Sequence, residues 1–151
     1  MTEIVIVPTW RRPAFLLVAL RRLAIAVDGN QEIWICLDRR YDPAVMGVIR
    51  DFTAAHPGLA KVYTRKHSYH GNSYNILTAY KEAIAPAPEL IHLVEEDIFV
   101  CADYFTFHRS AHAMFDQAFA VSACRNQYFV PGHDPKPDPY LAYCWGGYQS
   151  L

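Results

Sequence analysis

Three consecutive carboxylates, Glu95, Glu96 and Asp97, stand directly after the apolar run 90–94. Adjacent acids repel one another, and at the mouth of a buried strand they are avoided unless a cation neutralises them. Magnesium and manganese accept carboxylate oxygens and complete their shells with phosphate oxygens, so the triplet reads as a place to hold a diphosphate through a divalent ion. The plainer alternative is that Glu95 and Glu96 are solvated strand-end residues and Asp97 caps a turn. Three further polar clusters follow apolar runs: Thr9-Trp10-Arg11-Arg12, Asp38-Arg39-Arg40, and Arg65-Lys66-His67 continuing through His70 to Asn72. Cations, an aromatic ring and carboxylates would converge if these runs were strands ending on one edge of a sheet.

The intervening pattern supports that arrangement. Residues 4–7 form a β-branched run halted by Pro8, which suits a strand buried on both faces. After Pro13, Leu16, Leu20, Leu23 and Val27 recur at helical spacing until Asp28-Gly29-Asn30. Residues 32–37 predict a second strand, and Asp42-Pro43 an N-cap and first-turn proline for a helix with Val45, Val48, Ile49 and Phe52 inward. A third strand is expected at 61–64, then a helix at 73–85 with Ile76, Leu77, Tyr80 and Ile84 inward. A fourth strand at 90–94 precedes a helix at 102–116 with Tyr104, His108, Ala111 and Phe115 on one side, and 118–123 predicts a fifth strand. Strands alternating with helices indicate an α/β layer fold with a mixed, mostly parallel sheet and flanking helices. The proline-rich segment 126–139 is expected to be a loop over the site. The length of 151 residues and the 52% apolar content fit one folded domain spanning 1–151.

In open sheets of this kind ligands bind beyond the carboxyl ends of the strands. The stretch Leu93-Val94-Glu95-Glu96-Asp97-Ile98-Phe99-Val100-Cys101-Ala102-Asp103-Tyr104-Phe105 resembles the segment around the Asp-X-Asp (DXD) motif of GT-A glycosyltransferases. The likeness is strongest to the N-acetylglucosaminyltransferase I group and related family 2-like transferases. Val7-Pro8-Thr9-Trp10-Arg11-Arg12-Pro13 looks like that family's first-strand exit, and Leu37-Asp38 like its second-strand acid. The resemblance implies a Rossmann-like nucleotide-diphospho-sugar transferase fold. It also implies that Asp38 meets the nucleobase, Arg12 lies near base or phosphate, Glu96 contacts ribose or sugar, and Asp97 coordinates Mn2+ or Mg2+. Thr9, His70, Asn72 and Glu95 complete the expected donor-binding set. The chemistry agrees, since a carboxylate accepts from a uracil N–H and an arginine forks onto phosphate.

Rival readings exist. His108 and His112 stand at i and i+4, a spacing that can hold zinc, but position 109 is Arg rather than part of an HExxH motif, and packed or surface histidines are the favoured reading. Trp10 and Trp145 fit either a core or a ring-stacking role. Cys36, Cys101, Cys124 and Cys144 form no CxxC pair and read as reduced, mostly buried thiols. The net charge of −1 gives no basic surface for nucleic acid. The apolar stretch 14–27 is interrupted by Arg21 and Arg22 and too short to span a bilayer, and the start lacks a signal-peptide pattern, so a cytoplasmic location is the default expectation.

The resulting expectation is transfer of a hexosyl or N-acetylhexosaminyl group from a nucleotide diphosphate sugar, with UDP as nucleotide, to an acceptor hydroxyl. A catalytically incomplete donor-binding module is the alternative. A nucleotidyltransferase ranks lower, because Thr9-Trp10-Arg11-Arg12-Pro13 has no glycine to form a phosphate loop. No residue is assigned as catalytic base. In the resembling family that base lies beyond the Gly-rich segment to which Tyr143-Cys144-Trp145-Gly146-Gly147 is similar, so a C-terminally truncated sheet is expected. With it come slow or absent turnover and self-association through apolar surface at 143–151.

Overall fold

The computed structural model describes residues 2–65 and 71–122 and the backbone of Tyr148–Ser150. Four strands, β1 (Glu3–Thr9), β2 (Gln31–Leu37), β3 (Ala60–Thr64) and β4 (Leu90–Val94), alternate with helices α1 (Pro13–Ala26), α2 (Pro43–Ala55) and α3 (Gly71–Ile84). Helix α4 (Tyr104–Met114) follows β4, and a short strand β5 (Tyr148–Ser150) completes the sheet. The order is β3-β2-β1-β4-β5; the first four strands are parallel and β5 lies antiparallel to β4. Parallel neighbours require helical crossovers, so the strand exits collect on one edge. No helix among the described residues is long and apolar enough to cross a membrane.

Strand alternation divides the interior into two layers. Val5, Val7, Ile33, Ile35 and Leu37 pack with Leu16, Leu20 and Leu23 of α1, Val45, Ile49 and Phe52 of α2, and Tyr104 and Phe105 of α4. Ile4, Ile6, Trp34, Cys36, Ile91 and Leu93 face α3 instead. Each fully buried leucine contributes roughly 1.5–3 kcal/mol. Pro8 does not end β1 as expected: it pairs in register with Cys36. The Thr9 carbonyl accepts from Asp38 N at 3.0 Å, on the β2 side. The nitrogen of Pro8 therefore faces the other way, beyond the last β1–β4 pair at Ile6–Leu93, where no ladder donor is required. Asp42 caps α2 as expected, accepting from Ala44 N at 2.8 Å.

Three expectations are corrected. In α3 the inward face is Asn75, Ala79 and Ala83, with Ile76 and Tyr80 partly buried, whereas Leu77 and Ile84 are 68% and 63% exposed. Small residues let the helix approach the sheet closely, a preference that hydrophobicity alone does not report. In α4 the buried residues are Tyr104, Phe105 and His108, while Phe115 lies at the frayed C-cap, 54% exposed. Residues 118–122 form no strand beyond a bridge at Val121, Phe119 being 83% exposed; the fifth strand is β5. Residue 123 and the expected loop 126–139 lie outside the described residues, as do His70, Cys124 and Cys144. Of the two described thiols, Cys36 is buried and Cys101 exposed.

At the amino ends of the strands Glu3 is buried among cationic and polar partners. Gln31 Nε2 donates to Glu3 Oε2 at 2.7 Å, Arg109 donates to Oε1 at 3.0 Å, and His92 Nε2 stands 3.4 Å from Oε2. Arg109 also reaches Asp28 at 2.5 Å, tying α4 to the turn before β2. Burial alone would raise the Glu3 pKa, but His92, Gln31 and Arg109 outweigh it and hold it at about 2. His108 packs 4.5 Å from Tyr104 and 5.4 Å from His92, ring to ring. It is a packed histidine, the reading the sequence favoured; among the described residues, the triplet at 95–97 included, no group of three or more His, Cys, Asp or Glu could hold a metal.

This packing sets an acid sensitivity. Burial, then repulsion from His92 and His112, pushes the His108 pKa down to about 4, and burial lowers that of His92. An unfolded histidine takes up its proton near 6.5, so the unfolded chain gains protons first as pH falls, and stability is lost. Denaturant unfolding should show a loss of roughly 1–2 kcal/mol between pH 7 and 5 attributable to His108. Protonation of Glu3 adds to the loss below about pH 4.5, down to its folded value near 2. His108→Phe should flatten the segment from pH 7 to 5; an unchanged slope would remove His108 as its source.

Candidate functional site

The carboxyl edge of the sheet holds a cleft of about 380 Å³ lined by the exits of β1, β2 and β4 and by the start of α3. Thr9, Arg12, Asp38, Asn72, Glu95, Glu96 and Asp97 all line it, so seven of the eight expected residues come together. The eighth, His70, lies outside the described residues. Pro8, Trp10, Arg11, Arg40 and Gly71 complete the wall. Three arginines thus meet four carboxylates in one concavity, which makes the cleft close to neutral yet strongly polar.

Each wall is fixed through its backbone. Thr9 ends β1 in the core and its Oγ1 turns back to donate to Val7 O at 3.3 Å. Asp42 N donates to Trp10 O at 3.0 Å, which joins the β1 exit to the segment entering α2. Asp38 is 8% exposed, and its Oδ1 accepts from Arg40 N at 2.9 Å, closing a local turn after β2. After β4 the chain turns, with Ile98 N donating to Glu95 O at 3.0 Å. Gly71 opens α3 at φ +64°, a left-handed conformation that a side chain would strain, and sets the exposed Asn72 on the rim.

The acids after β4 take three different environments. Glu96 is buried: Oε2 accepts from Trp10 N at 3.0 Å, and Oε1 lies 3.6 Å from Arg12 Nε. Asp97 forms an ion pair with the NH1 of Arg12. Glu95 is half-buried, and its carboxylate makes no hydrogen bond or ion pair among the described residues. Burial first, then the charge of Asp97, raises its pKa; burial also raises that of Glu96, against the opposing pull of Trp10 N and Arg12. Both remain under-neutralised carboxylates.

Sequence reasoning foresaw a cation opposite the triplet but not that Arg12, 85 positions earlier, supplies one. Arg12 is the N-cap of α1 and its side chain makes no cap bond there, being directed at Glu96 and Asp97. Pro13 at the first helical position disfavours a helical conformation in the preceding residue, and Arg12, at φ −118° and ψ 69°, lies outside the helical region. The guanidinium of Arg11 lies 4.5 Å over the Trp10 ring, which makes Trp10 a rim residue, 48% exposed, rather than a core one. Behind the cleft, buried Arg65 donates to Asn75 Oδ1 at 2.8 Å and to Glu82 at 2.7 Å, and Asn75 donates to Cys36 O at 2.7 Å. Arg65 is thus structural. No pattern in the sequence marks this network, because Asn75 stands where a helix normally buries an apolar residue.

No family model matches the chain, and no curated protein does. Solved structures do. A mannosyltransferase from Pyrobaculum calidifontis in complex with GDP-Man and Mn2+ superposes with a TM-score of 0.69 at 17% identity, over 82% of this chain and 35% of that one. S. aureus TarS in complex with UDP-GlcNAc gives 0.63 at 19% identity, over 91% of this chain and 37% of that one. This chain therefore has a glycosyltransferase fold and spans little more than a third of the length of these structures. The narrower likeness to the N-acetylglucosaminyltransferase I group gains no support from them.

The clasp between Glu96 and Trp10 N yields a stability test. Glu96→Ala removes the acceptor of a part-buried N–H and should lower stability by about 1–3 kcal/mol in denaturant. Glu96→Gln keeps an acceptor oxygen and should recover most of that loss. If both variants matched the parent, Glu96 would not hold the β1 exit.

Proposed function

We propose that the cleft binds a nucleoside diphosphate sugar and that the unit serves transfer of a hexosyl or N-acetylhexosaminyl group to an acceptor hydroxyl. The whole 151-residue chain is read as one donor-binding unit. The observation that carries this reading is the meeting of Asp38, Arg12, Glu95 and Asp97 in one cleft at the strand ends. The fold supports it, because the neighbours sharing it hold GDP-Man with Mn2+, UDP-GlcNAc or UDP.

The donor set fits a divalent ion of the kind that binds through one or two carboxylates and takes its remaining ligands from phosphate and water. Glu95 has no partner among the described residues and Asp97 shares only a partly exposed ion pair, so both carboxylates can turn to a cation. Mn2+ or Mg2+ held there supplies positive charge against the charge that develops on a departing diphosphate. Asp97 is the proposed principal ligand, with Glu95 beside it.

The protein's own groups do the rest. Asp38, buried and held by Arg40 N, presents a carboxylate that can accept from a base N–H such as uracil N3–H. Arg12 can fork onto phosphate oxygens. Thr9 and Asn72 shape the floor and rim, and Glu96 fixes the turn that aims its neighbours and stands next to the sugar or ribose.

Calorimetry with UDP should show binding that requires Mn2+ or Mg2+ and is abolished by chelator. Asp97→Ala should weaken the metal-dependent binding about tenfold or more with the fold retained, roughly 1.4 kcal/mol. Equal affinity with and without chelator would remove the metal bridge. Asp38→Asn should reduce discrimination between UDP and other nucleotides, most plainly CDP, whose ring N3 accepts rather than donates; an unchanged preference in the folded variant would move base recognition elsewhere in the cleft.

A further inference from the structure

We propose that Arg12 is the resident counter-cation of the donor site. It neutralises Asp97 while the cleft is empty, and gives Asp97 up to a divalent cation when a nucleoside diphosphate offers the guanidinium a better anion. The inference deepens the donor-binding reading above and rests on it.

The geometry supplies both halves of the exchange. Arg12 holds Asp97 through NH1 and lies 3.6 Å from Glu96 through Nε, so the guanidinium occupies the place where a cation would otherwise balance these acids. Its backbone cannot leave: Leu16 N donates to Arg12 O at 2.9 Å, and Pro13 starts the helix immediately after it. The side chain can. It is 54% exposed and Asp97 34%, so the pair is solvent-screened and weak enough to exchange. Glu96 does not share this freedom, because it is clasped to Trp10 N and only 9% of its side chain is exposed. Asp97 is therefore the acid released, and Glu95, whose carboxylate has no ion partner among the described residues, is the one that joins it.

The electrostatic consequence is a coupling. A cation arriving alone must displace Arg12 and leave a guanidinium beside it, so binding is opposed by like charge. A diphosphate arriving alone meets carboxylates it repels. Together they satisfy both groups, Asp97 and Glu95 on the cation and Arg12 on the phosphate. Linkage requires that each ligand strengthen the other by the same factor.

Manganese titration followed by electron paramagnetic resonance reads this without any turnover. In the absence of nucleotide, Arg12→Gln should bind Mn2+ about fivefold more tightly than the parent, the scale of a partly exposed ion pair. Arg12→Lys, which keeps the charge, should stay near the parent, and Asp97→Asn should bind weakest. With saturating UDP the parent should tighten strongly for Mn2+, and Arg12→Gln by a smaller factor. Unchanged or weaker metal-alone binding by Arg12→Gln, beside UDP-dependent binding in the parent, would overturn the exchange while leaving the donor site standing. No Mn2+ binding by the parent with either UDP or GDP would overturn both.

Discussion

Three carboxylates in sequence at the end of a buried strand cannot all remain ionised without an opposing charge, and the shape of the cleft follows from how this repulsion is relieved. The turn after β4 separates the acids into different surroundings: Glu96 goes inward to a backbone N–H, Asp97 outward to Arg12, and Glu95 remains without an ion partner among the described residues. Relief is therefore partial. Burial still raises the pKa of both Glu95 and Glu96, which means that added positive charge would lower the free energy of the empty site.

The opposite edge of the sheet shows what complete relief looks like. Glu3 is also a buried acid at a strand end, and it too meets an arginine from a helix on the same face. There Arg109, Gln31 and His92 surround both oxygens, and the pKa falls to about 2 although burial opposes it. The Glu3 cluster is closed and joins α4, β4 and the turn at Asp28 into one unit. At the carboxyl edge acids and an arginine are arranged around an open concavity, with one acid unpaired among the described residues and the arginine half in solvent. A charge cluster is open to a ligand through what it leaves unsatisfied, and the two ends of β1 and β4 contrast a closed cluster with an open one.

Which parts were legible in the sequence follows from the range of the forces involved. Apolar runs and helical spacing located β1 to β4 and all four helices, because both are local signals. The strand exits were read as the binding edge for the same reason, and seven of the proposed residues do line one cleft. Failures occurred where tertiary packing overrides local pattern. Leu77 and Ile84 looked like an inner face, yet Asn75, Ala79 and Ala83 took it because a close helix needs small side chains. His92 passed unnoticed inside the apolar run of β4, although it links Glu3 to His108. The pairing of Arg12 with Asp97 spans 85 positions; like-charge repulsion in the sequence pointed to a divalent metal, and Arg12 was expected near base or phosphate rather than on Asp97.

Three of the contacts that hold the cleft end on backbone groups at the carboxyl ends of β1 and β2. Glu96 accepts from Trp10 N, Asp38 N donates to Thr9 O, and Asn75 donates to Cys36 O. The third works from behind the sheet, and through Arg65 it also fixes the end of β3 against α3. None of these bonds uses the side chains of Arg12, Glu95, Asp97 or Asn72. The residues with freedom to meet a ligand are thus separate from those that set the walls, a division that keeps the geometry constant while charges inside rearrange. Asp38 belongs to both groups, since its backbone joins β1 and its carboxylate lines the cleft. The wall at Asp38 is consequently the more rigid part of the cleft, and the side chain of Arg12 the more adjustable. In the donor complex proposed above, with Asp38 toward the base and Arg12 toward the phosphates, this would place discrimination at the base and accommodation at the phosphates.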